Sequence, residues 1–488
     1  MIRALASIGA IQVLIMVVAL VRAKFLSTWL GPAGFGVMST IDQAVLTAVQ
    51  VSALSLPFMA VKVLARSHSR DARVFRQTFG AFLRVLSLLA AVAVIVLLAV
   101  LAWRPGLAGD ELMPYRGTLA IAALGVPATI LNILFVNTLA AAGAAGASAM
   151  LGLVVGLVLA VAAVGGALAA GVHGVYVGSV GAGLLTTSAA LWYVSRRFGF
   201  SAATPPASLG DTLRAHPGVV SQAACVWAAM SAYAVTLLAT RYAVLSLLGE
   251  ADAGLLQAQF SLALTLGAVV TPMSGLYLTP LVNRESAVHD KVAAAEQFAA
   301  KVTILLALGA LPLVLFPAFT IRLLYSGAFA TAAHILFLFV VWQVLYQIVN
   351  VYLQLLIGLD DVAFFAIITC VAYACALALF PTLIPARGIA GAALGLIAAM
   401  LVAAAGAVLR LRLRFGHAVG TVVWQRAGVA VAAIAIGGWA FHANTEGTPA
   451  GIASRGLYAL LVVGVAWAGL TPEERALVSD LRWRTATP

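Results

Sequence analysis

The stretches LGPAGFG at residues 30–36 and LGEADAG at residues 248–254 decide how this chain is read, because the second repeats the first. An offset of about 217 positions carries Leu30, Gly31 and Gly36 onto Leu248, Gly249 and Gly254, and Arg66 onto Arg284. The same offset carries Gly171, Gly174 and Gly178 onto Gly388, Gly391 and Gly395, and the Arg-Phe-Gly at 197–199 onto that at 414–416. With 44 glycines in 488 residues a single match means little, but a nearly constant offset across a whole half means duplication. A duplicated membrane chain predicts two lobes facing each other across a central site that opens alternately to the two sides.

Composition places the chain in a membrane. It is 63% hydrophobic and 9% charged, more apolar surface than a water-soluble domain can hide. The apolar residues fall in blocks of roughly 20, the length of helix that crosses a hydrocarbon core. The expected fold class is therefore all-α, a polytopic membrane protein of about 14 transmembrane helices: two six-helix repeats in parallel orientation plus a C-terminal helix pair. Spans are expected near 5–30, 37–62, 77–103, 114–141, 145–170 and 172–195. The second copy follows near 217–246, 253–282, 299–323, 332–357, 362–385 and 389–411, with two more spans near 420–442 and 455–471. Residues 1–200 then form an N-terminal lobe of spans 1–6, residues 201–418 a C-terminal lobe of spans 7–12, and residues 419–488 the extra pair with a cytoplasmic tail. The first apolar run carries no small-residue cleavage site, so it is expected to be a retained span and not a signal peptide.

Basic residues orient the spans. One side collects Arg3, then Lys62, Arg66, Arg70, Arg73 and Arg76, then Arg196, Arg197 and Arg214, then Arg284, Lys291 and Lys301, and Arg410, Arg412 and Arg414. The other side has Arg104, Arg116, Arg322, Arg387 and Arg455. That asymmetry puts both termini in the cytoplasm. It also accounts for the net charge of +12, whose arginines are spread over short loops as topology signals and not gathered into a nucleic-acid surface. Segments 197–216 and 283–300 are the longest expected outside the membrane, and neither is long enough for a soluble domain. Cys225, Cys370 and Cys375 lie inside apolar spans at no disulfide or metal spacing, and read as packing residues.

Charges at membrane depth are costly and mark function by default. Four candidates stand out: Arg22 and Lys24 in span 1, Asp42 in span 2 and Arg241 in span 7. Counting helical rise from Gly31 and Gly249 sets all four roughly 10–13 Å below the outer surface. The offset aligns Arg241 with Ala23, so each repeat supplies cationic charge at one height from its first helix. A cavity that binds an anion needs that arrangement. The structural alternatives are snorkelling to the headgroups and pairing of Asp42 with Lys24 or Arg22 across the span 1–2 hairpin. Lys24 shares its helical face with Ser27 and Thr28, and Arg22 with Phe25, Leu26 and Trp29, which favours Lys24 as the residue facing the cavity. Gln43, Asn137, Gln347, Asn350 and Gln354 are further candidates for lining the path, with Asp42 the one acid placed for coupling. Gln343, Gln347, Asn350 and Gln354 recur at spacings of four, three and four along span 10. Amides suit sugar hydroxyls, although hydrogen bonding between helices explains them equally well. No phosphate-binding loop, metal cluster or nucleophile–base pair is legible, so no enzymatic activity and no metal is expected.

The segment KFLSTWLGPAGFGVMSTIDQ at 24–43 resembles the first hairpin of the Wzx-type O-antigen and exopolysaccharide flippases, polysaccharide transporters of the multidrug/oligosaccharidyl-lipid/polysaccharide (MOP) superfamily. YLTPLVNR ending at Arg284, FVVWQVLYQIVNVYLQLLIGLDD around span 10 and LIPARGIAGAALG before span 12 extend the resemblance over about 415 residues. The resemblance implies a flippase moving undecaprenyl-pyrophosphate-linked oligosaccharides across the bacterial inner membrane, with membrane lipid, a polysaccharide polymerase and a chain-length regulator as partners and no nucleic acid. It implies that a cationic cavity holds the pyrophosphate, at Arg22, Lys24 and Arg241 here. It calls for no cofactor, and leaves coupling to protons or sodium open. The extra helix pair is similar to that of the lipid II flippases of the superfamily, where it helps to form a groove for the prenyl tail. A multidrug antiporter for cations is the alternative within the fold, and the net basic layer speaks against it. A polymerase or ligase would need a sizeable outward loop, which the sequence lacks.

Overall fold

The computed structural model describes residues 2–103, 106, 109–200, 210, 218–274, 278–282, 287–441, 446, 448–470 and 475, with side chains from residue 11 onward. All regular structure among them is helical. Eleven helices there are long and apolar enough to cross a membrane. Two of these carry two expected spans each. Ile2–Ser52 is kinked at Gly31 (φ 65°, ψ −178°) and Ala145–Phe198 at Ala170 and Gly171. With Glu250–Met273 in the eighth position, each of the fourteen expected spans is occupied by helix. This is a multi-pass, all-α architecture.

The duplication is written in the backbone. Gly31 and Gly249 both take positive φ, as do Gly171 and Gly388, and Gly199 and Gly416. A side chain is strained in that region, which is why glycine recurs at these turns. A further pair obeys the offset without matching in sequence: Gly143 and Asp360 both have positive φ. The amides of Ala144 and Asp361, one residue on, reach the carbonyls of Leu139 and Leu356, each 2.9 Å away. Asp360 is acceptable because a short polar side chain tolerates the left-handed region better than a bulky one.

Chain contacts divide the protein into two compact units. The first comprises Met1–Ala258, Leu324–Phe329 and Val362–Gly395. In it the arm 32–52 lies against helix Val219–Leu248, where Gln43 and Thr47 both donate to the Ala234 carbonyl (3.4 and 3.1 Å) and Trp227 donates to that of Val51 (2.9 Å). Helix Val362–Arg387 packs on the same helix, with Tyr373 against Tyr233. A separate core of Phe75, Phe79, Phe82 and Phe135 joins helices Leu56–Arg70, Ala72–Trp103 and Val126–Ala141.

Glycine also sets how closely helices approach here. A Cβ added at Gly36 would lie inside the van der Waals radius of the Glu250 carbonyl oxygen, and one at Gly254 inside that of Pro32. Gly36 and Gly254 are repeat partners, and so are Pro32 and Glu250, so the contact is its own image about a pseudo-twofold axis.

The second unit comprises Gln259–Leu323, Ala330–Asp361 and Leu396–Pro488. Its C-terminal helices Thr421–Ala440 and Pro449–Ala468 are tied to helix Val288–Leu315 and the turn after it by charged groups. Glu296 accepts from the Gly420 amide (2.6 Å), and Glu446 from the amides of Ala318 and Phe319 (2.9 and 2.8 Å). Arg455 is fully buried and donates to the carbonyls of Leu315 (2.6 Å), Gly451 (3.2 Å) and Phe441 (3.3 Å), with Phe441 and Phe316 beneath its guanidinium. Asp361, also buried, pairs with Arg410 (2.7 Å) and Arg414.

Two expectations are corrected. Span 2 does not run to residue 62. It ends at Ser52, Leu54 and Ser55 turn left-handed, and Pro57 opens a new helix, Leu56–Arg70, which carries Lys62, Arg66 and Arg70. Arg455 is not a loop topology marker: it lies in the second turn of helix Pro449–Ala468, where three carbonyls replace its water. Arg104, Arg214, Arg284 and the expected tail from Thr471 onward, Arg475 excepted, lie outside the described residues.

The glycine contact yields a test. Gly36→Ala and Gly254→Ala each force two backbones apart, and are expected to lower the melting temperature of the purified protein by several degrees or to abolish its accumulation. Gly117→Ala, in a helix with nothing within 4 Å of the new methyl, is expected to be neutral or stabilising by up to about 1 kcal/mol.

Candidate functional site: a cationic cluster around Asp42

The four intramembrane charges named from sequence all fall in the first unit. The glycine kink at Gly31 folds the arm 2–30 beside the arm 32–52, which brings Arg22 opposite Asp42. Arg22 Nη2 stands 3.8 Å from Asp42 Oδ2, with the two side chains 32% and 39% exposed. Of the two pairings left open by the sequence, Arg22 makes it. That spacing lies beyond the 2.7–3.2 Å or so of an ordinary hydrogen bond, and Arg22 Nε is buried with no hydrogen-bond partner. Asp42 has a second neighbour that sequence reasoning missed. The buried Tyr176 hydroxyl, from the second arm of helix Ala145–Phe198, sits 2.8 Å from Asp42 Oδ1 and 2.7 Å from the Met38 carbonyl. Its single proton serves two acceptors. Nothing in the glycine-rich run around Tyr176 signals the role, since the contact spans 134 residues.

Lys24 Nζ donates to the backbone carbonyl of Tyr325, which belongs to the short segment Leu324–Phe329. Tyr325 and Phe329 in turn pack edge-on and tilted around Phe35. Ser27, which is buried, and Thr28, which is exposed, both donate to the Lys24 carbonyl (3.0 and 2.7 Å).

Arg241 is 5% exposed. Its Nε and Nη2 both donate to Gln257 Oε1 (3.1 and 2.9 Å) and Nη1 to the Leu237 carbonyl (3.2 Å). It lies within electrostatic reach of Asp42 and Tyr233. A buried cation without partners would be costly, and here the Gln257 amide oxygen and the Leu237 carbonyl supply them. The sequence does not single out Gln257 as the partner of Arg241, because the two sit 16 residues apart on successive helices.

The remaining candidates serve packing in varying degree. Gln43 is buried and bonded to Ala234 as described. Asn137 donates to the Pro57 carbonyl (2.9 Å), a bond that bridges the chain break before helix Leu56–Arg70. Gln347, Asn350 and Gln354 belong to the second unit, on helix Leu336–Gly358. There Gly267 makes room for Gln343 and Gln347, whose amide nitrogens each lie 2.5 Å from where its Cβ would be. Asn350 and Gln354 are half-buried, and Gln354 Oε1 is enclosed with no hydrogen-bond partner. The second unit also holds an apolar groove of about 570 Å³ between helices Val288–Leu315, Thr421–Ala440 and Pro449–Ala468, walled by Ile304, Val429, Ile436 and Leu461 with Arg426 among its lining. Cys225, Cys370 and Cys375 are half-buried thiols.

No protein-family model and no curated protein sequence matches the chain. Solved structures do. One described as the lipid II flippase MurJ, in an inward closed conformation, superposes with a TM-score of 0.65 at 11% identity, over 94% of this chain and 98% of that one. An inward-facing multidrug resistance MATE family transporter of the MOP superfamily gives 0.65 at 15% identity, over 83% and 94%. A MATE protein in a straight conformation gives 0.59 at 14%, over 84% and 96%. The chain has the fold of the MOP-superfamily transporters. At these identities the likeness concerns the fold alone.

The Arg241 cradle makes its own prediction. Gln257→Leu removes the acceptor of two bonds from a buried cation and is expected to cost about 2 kcal/mol or more, read as a fall in melting temperature. Gln257→Glu, which keeps the acceptor and adds a charge, is expected to hold or raise it.

Proposed function

We propose that this protein is a flippase that translocates undecaprenyl-pyrophosphate-linked oligosaccharide repeat units across the bacterial inner membrane by alternating access, for surface polysaccharide biosynthesis. The observation that carries the reading is the basic character around Asp42: Arg22 pairs with it, Arg241 lies within electrostatic reach of it, and Lys24, two residues from Arg22, adds a third positive charge in the same unit. A net cationic site at membrane depth attracts a diphosphate and repels an organic cation, which argues for a lipid-diphosphate cargo over the cationic drugs of a multidrug exporter. The duplicated lobes 1–200 and 201–418 would be the moving parts, and both termini would face the cytoplasm, as the distribution of arginine and lysine requires. Within the second unit, the amides of Gln347, Asn350 and Gln354 suit sugar hydroxyls, and the groove beside helices Thr421–Ala440 and Pro449–Ala468 offers the kind of apolar environment a prenyl chain needs. No step here asks the protein to make or break a covalent bond.

One observation favours a second reading, a lipid II flippase. The MurJ likeness covers 94% of the chain, more than residues 1–418 could supply, so it reaches into the C-terminal helices. The two readings share the diphosphate and differ in the glycan.

In a strain lacking its own repeat-unit flippase, Lys24→Ala and Arg241→Ala are each expected to cut surface-glycan export several-fold at unchanged protein level in the membrane. Full complementation by both variants would overturn the proposal. Rescue of a strain depleted of its lipid II flippase, with no rescue of glycan export, would establish the second reading in its place.

A further inference from the structure

We propose that Asp42 is a displaceable counter-ion: it holds Arg22 in the empty site and yields it to the arriving lipid diphosphate, so that it limits how tightly the cargo is gripped. The inference rests on the lipid-diphosphate reading above and assigns a residue to the loading and release of that cargo.

The geometry is that of a loose pair. Arginine and carboxylate that are built to stay together form short, often bidentate bonds at about 2.7–2.9 Å, whereas Arg22 and Asp42 stand at 3.8 Å and remain a third or so exposed. Arg22 keeps unspent donor capacity at its buried, partnerless Nε. Asp42 is also provided for when Arg22 leaves, because the Tyr176 hydroxyl already lies 2.8 Å from its Oδ1. Removing a partner from a half-buried carboxylate is normally expensive, since the group is left without compensation. Here Tyr176 can turn its proton fully to Asp42 and give up the Met38 carbonyl at 2.7 Å, which retains its helical role. Arg241 lies within electrostatic reach and continues to offset the freed charge.

Lys24 and Arg241 are held by neutral oxygens from Tyr325, Gln257 and Leu237. A neutral acceptor competes weakly with a diphosphate. Asp42 is the anion beside Arg22, and it competes with the cargo for that guanidinium in kind. A site of three cations with no internal competitor would bind a diphosphate tightly and release it slowly. Asp42 supplies the opposing charge that makes the exchange reversible in both directions. It acts through Arg22, as a positioning residue.

The test uses purified full-length protein and farnesyl diphosphate in detergent micelles, with farnesol as the phosphate-free control. Asp42→Asn is expected to tighten farnesyl diphosphate binding about tenfold, equivalent to about 1.4 kcal/mol. The gain should vanish in the Arg22→Gln background, a dependence that a merely structural role would not show. Tyr176→Phe is expected to act in the opposite direction, weakening binding a few-fold, because Asp42 then has only Arg22 to turn to. In a vesicle flipping assay Asp42→Asn should lower both the half-saturating substrate concentration and the maximal rate. Binding by Asp42→Asn no tighter than wild type, or a gain that survives Arg22→Gln, overturns the inference. Should Asp42→Asn fail to fold, Tyr176→Phe decides, since equal or tighter binding by that variant overturns it too. If the wild type does not prefer farnesyl diphosphate to farnesol, the lipid-diphosphate reading itself falls, and this inference with it.

Discussion

A backbone amide in hydrocarbon finds no water to replace a lost partner, so a membrane chain must keep its hydrogen bonds inside its own helices and change direction within very few residues. Three pairs of repeat-related positions meet that constraint in the same way, each with a glycine at positive φ. Gly31 and Gly249 carry the first reversal of each half, Gly171 and Gly388 a later one, and Gly199 and Gly416 the last. Because the reversals are so short, consecutive helices are held as tight hairpins. The charged residues near those turns therefore meet at fixed heights. The pairing of Arg22 with Asp42 is a direct product of the kink at Gly31.

Close approach then becomes a matter of side-chain size. Helices in lipid gain little from hiding apolar surface and rely on contact between backbones. The mutual fit of Gly36 with Glu250 and of Gly254 with Pro32 shows the duplication being used, since one pair of glycines solves the packing problem twice. The same logic gives Gly267 its place beside Gln343 and Gln347, where the missing side chain is what lets two amides enter a helix interface.

Charge is handled in two styles. In the second unit, Arg455 is sealed among three carbonyls and two aromatic faces, and Asp361 is clamped by two arginines. These are fastenings, each built on a buried charge, Arg455 or Asp361, held by several short bonds. Around Asp42 the bonds are long, shared or made to neutral oxygens, and the central pair stays partly exposed. A fastening minimises its energy in one state, whereas a transport site needs two states of comparable energy. The contrast between the two clusters supports a working role for the first.

Hydropathy, the glycine pattern and the 217-residue offset were sufficient to read the fold class, the helical spans and the repeated glycine turns, because these depend only on length, burial and local backbone geometry. The Gly143–Asp360 turn escaped because φ, not residue identity, is what the repeat preserves there. Partners were another matter. That Asp42 meets Arg22 and Tyr176, that Lys24 ends on the carbonyl of Tyr325, and that Arg455 leaves the surface for a carbonyl cage were decided by which helices lie side by side. Those contacts join residues up to 301 positions apart, and a periodic apolar helix offers nearly equivalent faces to several neighbours, so only the packed chain selects among them.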